Sequence, residues 1–136
     1  MTLYVLDTDT SSYIIRERSP EILQRLDAAT RAGHEIVISV ITYAELMQRL
    51  HSAAARARWE VKVSGFLQTV HDVVPWDTTA ADQWARINPS LRAAGTPIGA
   101  ADTMIAAHAM ALGAVLITNN TAHFQRVEGL TFENWT

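Results

Sequence analysis

Short apolar runs alternate with amphipathic stretches along the chain. Leu3-Tyr4-Val5-Leu6, Ile36-Val37-Ile38, Asp72-Val73-Val74 and Val115-Leu116-Ile117 are too brief for helices and read as strands. Ser19-Pro20 supplies an N-cap and a first helical position for a helix to about Ala32, which Gly33 closes. Further helices are predicted from Ser39 to about Leu50 and from Ser52 to about Val70. Asp77 caps another over Thr78 to about Ala94, stopped by Gly95 and Pro97. Ala100 to Leu112 is a strongly apolar helix ended by Gly113. After Asn119-Asn120 comes one helical turn, and Leu130-Thr131-Phe132 reads as a last edge strand.

This alternation predicts an α/β fold, an α/β/α sandwich around a central, mainly parallel sheet of four to five short strands. The 136 residues suit a single domain over 1–136, and 49% apolar content is enough to bury a core. There is no cysteine, which excludes disulfide frameworks, zinc ribbons, iron–sulfur sites and thiol nucleophiles. Asp7 and Asp9 interrupt the apolar N-terminus before a signal sequence could form. The longest apolar stretch, Met104 to Ile117, contains His108 and Gly113 and is too short to span a bilayer. A cytoplasmic protein with no membrane contact is expected.

Parallel sheets bind ligands beyond the carboxyl ends of their strands, so chemistry is sought there. Strand one is followed by Asp7, Thr8 and Asp9. Strand two is followed by Ser39, Thr42 and, inside the next helix, Glu45; strand four by Thr118, Asn119 and Asn120. Asp102 opens the apolar helix that feeds strand four, behind the run Gly95-Thr96-Pro97-Ile98-Gly99. Three carboxylates and an amide are therefore expected at one edge. Carboxylates gathered this closely must take up protons or share a cation, and an all-oxygen set suits Mg²⁺ or Mn²⁺. Such an ion activates a water and neutralises charge on phosphorane oxygens, which suits hydrolysis of a phosphate ester. Glu45 is placed to orient or deprotonate that water.

Each residue also has a structural reading. Asp7 can N-cap the helix that follows, Glu45 can pair with Arg49 at i+4, and Asp102 can complement its helix dipole. Asn119-Asn120 reads as a turn, Asp9 as a helix-start residue, Asp77 as an N-cap and Asp82 as a partner for Arg86. His108 reads as a satisfied core histidine. His34, His51, His71 and His123 have no metal-ligand spacing, and the four tryptophans read as packing residues. The convergence of Asp7, Glu45 and Asp102 favours the functional reading.

The formal net charge is −3, and ten of the eleven basic residues are arginine, with Lys62 the only lysine. Arginine suits bidentate phosphate contacts, whereas a catalytic amine needs lysine. Arg92 and Arg126, which flank the last two motifs, are candidates for substrate phosphate contacts. Arg16 is a weaker candidate for the same contact, with ordinary surface solvation the preferred reading.

Taken together, Leu6-Asp7-Thr8-Asp9, Ile38-Ser39-Val40-Ile41-Thr42-Tyr43-Ala44-Glu45-Leu46 and Pro97-Ile98-Gly99-Ala100-Ala101-Asp102-Thr103-Met104-Ile105-Ala106-Ala107-His108-Ala109 resemble the PIN-domain ribonucleases. The ending Ile117-Thr118-Asn119-Asn120-Thr121, with Phe124, Val127, Glu128-Gly129-Leu130 and Trp135, is similar to their VapC toxin branch. The resemblance covers essentially the whole chain. It implies a Mg²⁺- or Mn²⁺-dependent endoribonuclease, the toxin of a toxin–antitoxin pair, cutting a structured RNA such as tRNA. It also implies a homodimer neutralised by a VapB-type antitoxin, through which alone it would reach operator DNA. Asp7, Glu45 and Asp102 match the family's acidic triad as catalytic residues and metal ligands. The fourth position falls at Asn120, or at Asn119, and contributes a neutral oxygen in place of a charge. Asp9 stands where the family often carries Asn and adds a negative charge beside the site.

Two other readings compete. Val5-Leu6-Asp7-Thr8-Asp9-Thr10 fits the opening motif of haloacid-dehalogenase-like phosphatases, with Asp7 as nucleophile. Those enzymes need a lysine near the phosphate and an acidic pair after a late strand. Here Lys62 lies mid-chain and the late strand ends in Asn119-Asn120. A non-catalytic RNA- or peptide-binding module is the other alternative, and three gathered carboxylates argue against it.

Overall fold

The computed structural model describes all of residues 1–136. Its strands are β1 (Leu3–Leu6), β2 (Glu35–Ser39), β3 (Asp72–Val74), β4 (Val115–Ile117) and β5 (Phe132–Glu133). The helices are α1 (Thr8–Ile15), α2 (Pro20–Arg31), α3 (Val40–Gln48), α4 (Ala53–Thr69), α5 (Thr78–Ala93), α6 (Ala100–Ala111) and α7 (Thr121–Phe124). The strands form one sheet in the order β3-β2-β1-β4-β5, and every pairing is parallel.

Successive strand residues face opposite sides of this sheet, and two cores result. Val5, Val37 and Leu116 pack with Ile87 and Leu91 of α5, Ile105, Ala106 and Ala109 of α6, and Phe124 of α7. On the other face, Leu6, Ile36, Ile38 and Ile117 meet Ile15, Ile22, Leu46, Val63 and Phe66 of α1 to α4. Burial on both faces explains why the strands read as continuous apolar runs without alternation. The α/β/α sandwich expected from the sequence is the observed fold, with five strands.

Capping follows the sequence closely. Ser19, Ser39, Ser52 and Asp77 each accept an amide hydrogen bond at the start of a helix, and Pro20 opens α2. Two elements depart from expectation. Helix α1 begins one residue after β1, and its eight residues TDTSSYII carry too little apolar periodicity to be delineated. The edge strand lies at Phe132–Glu133 rather than 130–132. The Thr131 carbonyl accepts from Leu116 N–H and that of Glu133 from Thr118 N–H, so pairing with β4 sets its register. Leu130 instead packs against the first core.

Candidate active site

The sheet's winding places the site. From β1 the chain builds outward through β2 to β3, then crosses back to lay β4 and β5 on the other side of β1. Such a reversal opens a crevice beyond the carboxyl ends of the two strands that flank it. Here those strands are β1 and β4, which end at Asp7 and Thr118. Asp7 N–H donates to the Ile117 carbonyl at 3.0 Å, and Thr10 Oγ1 donates to the same oxygen at 3.1 Å.

Asp7 is 2% exposed. Its Oδ1 accepts from Thr10 N–H at 2.7 Å and caps α1, so the capping reading holds. Burial nonetheless raises its carboxyl from 3.8 to about 6. Hydrogen bonds from the Thr118 hydroxyl and from Thr10 pull the other way, and the charge of Asp9 adds to the rise.

Glu45 projects from α3, the helix that follows β2. Its Oε1 accepts from Thr8 Oγ1 at 2.6 Å, and Thr8 Oγ1 lies 3.1 Å from Thr42 Oγ1. A hydroxyl has one proton to give. Because Thr8 gives its proton to Glu45, it accepts from Thr42. Glu45 makes no ion pair with Arg49, whose guanidinium donates to Ser12 Oγ. The surface-pair reading of Glu45 is thereby replaced by a buried relay from α1.

Asp102 sits in the first turn of α6, three residues after Gly99. Gly99 has φ +99°, a conformation side-chain-bearing residues rarely adopt, and its carbonyl accepts from Thr103 Oγ1 at 2.6 Å. The Asp102 carboxyl is raised by burial, then by the charges of Asp9 and Glu45, with His123 opposing. Asp9, Glu45 and Asp102 therefore share one electrostatic field.

His108, also on α6, is 1% exposed, and its Nδ1 lies 2.7 Å from Ser39 Oγ. Ser39 also caps α3, so this bond ties the helix bearing Asp102 to the helix bearing Glu45. His108 is the satisfied core histidine the sequence suggests. Burial holds its pKa below the ordinary value, opposed by the charge of Asp77 and a bond to the Pro75 carbonyl.

Beyond β4 the two asparagines differ. Asn120 Nδ2 lies 2.9 Å from His123 Nδ1, while Asp102 Oδ2 stands 3.7 Å from the same nitrogen. With the amide N–H directed at the ring, Nδ1 accepts and the ring proton belongs on Nε2. Asn119 Oδ1 is the one buried side-chain polar atom with no hydrogen-bond partner. Sequence reasoning places Thr8 and Thr118 at the strand ends without giving them a role, and gives His123 none. His123 had one available signal, its position three residues after Asn120 on a helical turn.

A divalent cation fits this donor set on one observation above all. The Asp102 carboxyl, raised by burial and then by the charges of Asp9 and Glu45, is a group whose ionisation a cation would relieve. No three acidic or histidine side chains close around a common point. That geometry differs from a three-carboxylate cage of Asp7, Glu45 and Asp102. It suits Mg²⁺, which keeps several waters and takes one or two carboxylates from a protein.

The arginines are distributed differently from expectation. Arg92 is exposed in the last turn of α5. Arg126 Nη1 reaches the Pro97 carbonyl at 3.5 Å, in a cleft lined by Arg86, Ser90 and Thr96 and by none of Asp7, Asp9, Glu45 or Asp102. Arg86 bonds Gln83 Oε1 at 2.9 Å rather than pairing with Asp82. The arginines that border the acidic residues are Arg16, Arg18 and Arg49, which share a cleft with Asp9. Lys62, the one lysine, lies 5.8 Å from the Trp59 ring centroid on α4, which leaves the phosphatase reading without its lysine.

Residues 4–130 match the PIN domain family. The tRNA(fMet)-specific endonuclease VapC of Salmonella typhimurium is 35% identical over 135 residues, 99% of each chain. Its Shigella flexneri counterpart is 32% identical over the full length of both. Among solved structures, VapBC2 from Rickettsia felis bound to a promoter DNA fragment superposes with TM-score 0.92 at 27% identity, covering 99% of this chain and 100% of that one. DNA-bound VapBC from Salmonella typhimurium gives 0.88 at 35% identity, with both chains fully covered.

Proposed function

The chain belongs to the PIN-domain family, in its VapC branch, and from that premise we propose that it is a Mg²⁺- or Mn²⁺-dependent endoribonuclease. It hydrolyses phosphodiesters of a structured RNA, with tRNA the first substrate to try because relatives are named for tRNA(fMet). It acts as the toxin of a toxin–antitoxin pair in the cytoplasm, as a homodimer neutralised by a VapB-type antitoxin. Contact with operator DNA is made through that antitoxin. No helix is long and apolar enough to cross a membrane.

The observation that carries this reading is the shared field of Asp102, Asp9 and Glu45 beside the buried Asp7. Asp7 and Asp102 are the residues that would hold the ion directly. A bound divalent ion supplies a water of lowered pKa and neutralises charge on the phosphorane oxygens. Glu45, aimed by Thr8, is the residue that would orient an attacking water and take up its proton. Asn120 contributes a neutral amide at the fourth position and keeps the His123 ring in register beside Asp102. Asp9 contributes charge from the rim. Arg92 and Arg126 are assigned to more distant parts of a long substrate.

Expression of the wild-type chain alone tests this reading in cells. Growth arrest that Asp7→Ala or a co-expressed VapB-type antitoxin relieves supports it, with RNA fragments appearing on arrest. Tolerance of the wild-type protein at high expression contradicts the toxin assignment.

A further inference from the structure

Three clefts run outward from the acidic crevice and share arginines. One is lined by Asp9, Ser12, Arg16, Arg18 and Arg49. The next adds Ile15, His51 and Trp59 to Arg16 and Arg49. The third joins Arg16 and Arg18 to Arg58 and Trp59. Arg49 also borders Glu45 in a cleft of its own. A continuous path therefore leads from Asp9 and Glu45 along α1 to the middle of α4.

Cations crowd this path and are free of acidic partners. Arg16, Arg58 and Lys62 stand 5.7, 4.9 and 5.8 Å from the Trp59 ring centroid. The protein's arginine–carboxylate pairs are Arg25 with Glu133 and Arg31 with Asp27 instead. Like charges gathered without counter-ions are unfavourable unless something else holds them, and the indole does so through its negative ring face. With guanidiniums held over the ring, their N–H edges stay available to acceptors. In a chain of net charge −3, this is where a polyanion finds local attraction.

We propose that Arg16, Arg18, Arg58 and Lys62, organised around Trp59 and joined to the crevice by Arg49, form the track for the substrate's phosphate backbone. The inference rests on the ribonuclease reading and extends it. The strand whose scissile phosphate meets Asp7 and Asp102 continues over α1 and α4, and its phosphates pair with these cations one after another. Such contacts are blind to base identity, so the track sets affinity and direction of approach rather than cleavage site. Phosphate is favoured over an apolar protein segment because the Trp59 ring is already occupied by cations.

The test measures equilibrium binding of a single-stranded homopolymeric RNA and of total tRNA across a salt series. It is run in EDTA so that cleavage does not intrude. Arg16→Gln, Arg58→Gln and Lys62→Gln are compared with wild type and with Arg31→Gln, whose partner is Asp27 on α2. Melting curves verify that each variant folds, and Arg58→Lys asks whether charge alone rescues. Each lost contact is expected to flatten the salt dependence by about 0.7 in log–log slope and weaken binding about fivefold at 0.1 M salt. Arg31→Gln should change neither. RNA binding by the wild type with unchanged slopes in all three variants would overturn the track and leave the ribonuclease reading standing. Loss of affinity for an acidic antitoxin peptide, with RNA binding intact, would reassign the surface to a protein partner. Absence of RNA binding by the wild type at low salt would overturn both.

Discussion

The Thr8 hydroxyl donates a 2.6 Å hydrogen bond to Glu45 Oε1, joining the first turn of α1 to the middle of α3 across 37 residues of sequence. Thr8 is buried, and Thr42 feeds its own proton into Thr8 from below. The relay holds one oxygen of Glu45 and leaves the other free, which is what a group that aims a water requires. Thr8→Val removes the donor while keeping the shape of the side chain. It should lower kcat roughly tenfold with KM little changed, since a hydrogen bond to a charged group contributes about 1.5 kcal/mol. Thr8→Ser should recover most of the loss. Equal falls in kcat from Thr8→Ser and Thr8→Val would assign Thr8 to packing.

Asp7 makes the metal-free protein less stable as it ionises. Its carboxyl is raised from 3.8 to about 6, so the folded state holds the proton longer than the unfolded chain. The sign follows from linkage. Stability from this group is complete below pH ~3.8 and is lost as pH rises to about 6, by about 3 kcal/mol in all. In EDTA at pH 8, Asp7→Asn should therefore melt higher than wild type, and at pH 4 the two should coincide. A lower melting temperature for Asp7→Asn at pH 8 would show that the carboxylate stabilises the fold by itself.

Metal binding should reverse that order. Anything that binds only the folded state stabilises it by mass action, about 2.7 kcal/mol at a hundredfold excess over Kd. Mn²⁺ or Mg²⁺ at pH 8 should raise the wild-type melting temperature by several degrees and leave Asp7→Asn and Asp102→Asn nearly unmoved. A similar shift in all three proteins would place the ion elsewhere.

His108 acts in the opposite pH direction. Its pKa is held below the ordinary 6.5 by burial, so the unfolded chain takes up the proton first as pH falls. Stability is complete above pH ~6.5 and declines below it until the folded-state ring also titrates. Because Asp7 titrates in the same window with the other sign, the cleaner background is Asp7→Asn. There, wild-type His108 should give a melting temperature that falls from pH 7 to pH 5, and His108→Asn should flatten that slope. The loss of the Ser39 bond in His108→Ala should also reduce activity, because Ser39 anchors the helix carrying Glu45.

The apolar runs make the sheet readable, since the central strands β1, β2 and β4 are largely buried between the two helical layers and five of the seven helix starts carry a side-chain cap. The expectation that Asp7, Glu45 and Asp102 lie along one edge rests only on the rule that parallel strands present their ends to one crevice. Helix α1 has a legible start at Asp7 and Asp9 but no legible extent, because hydroxyl side chains fill it. Ser11 and Ser12 bond back to the Asp7 and Thr8 carbonyls, satisfying locally what apolar residues would elsewhere satisfy by packing. Without its extent, Thr8 has no visible partner in Glu45, and Arg16 reads as an ordinary surface charge. The arginines that border the crevice are hard to read from sequence for a related reason. Nearness in sequence to a motif favoured Arg92 and Arg126, whereas nearness in space depends on which helices flank the crevice.

The most direct measurement of the central claim is cleavage of total tRNA by purified, antitoxin-free protein with Mg²⁺ or Mn²⁺, beside Asp102→Asn and an EDTA control. Discrete fragments that vanish in both controls are the predicted result. Cutting that survives EDTA or the loss of the Asp102 carboxylate would contradict it.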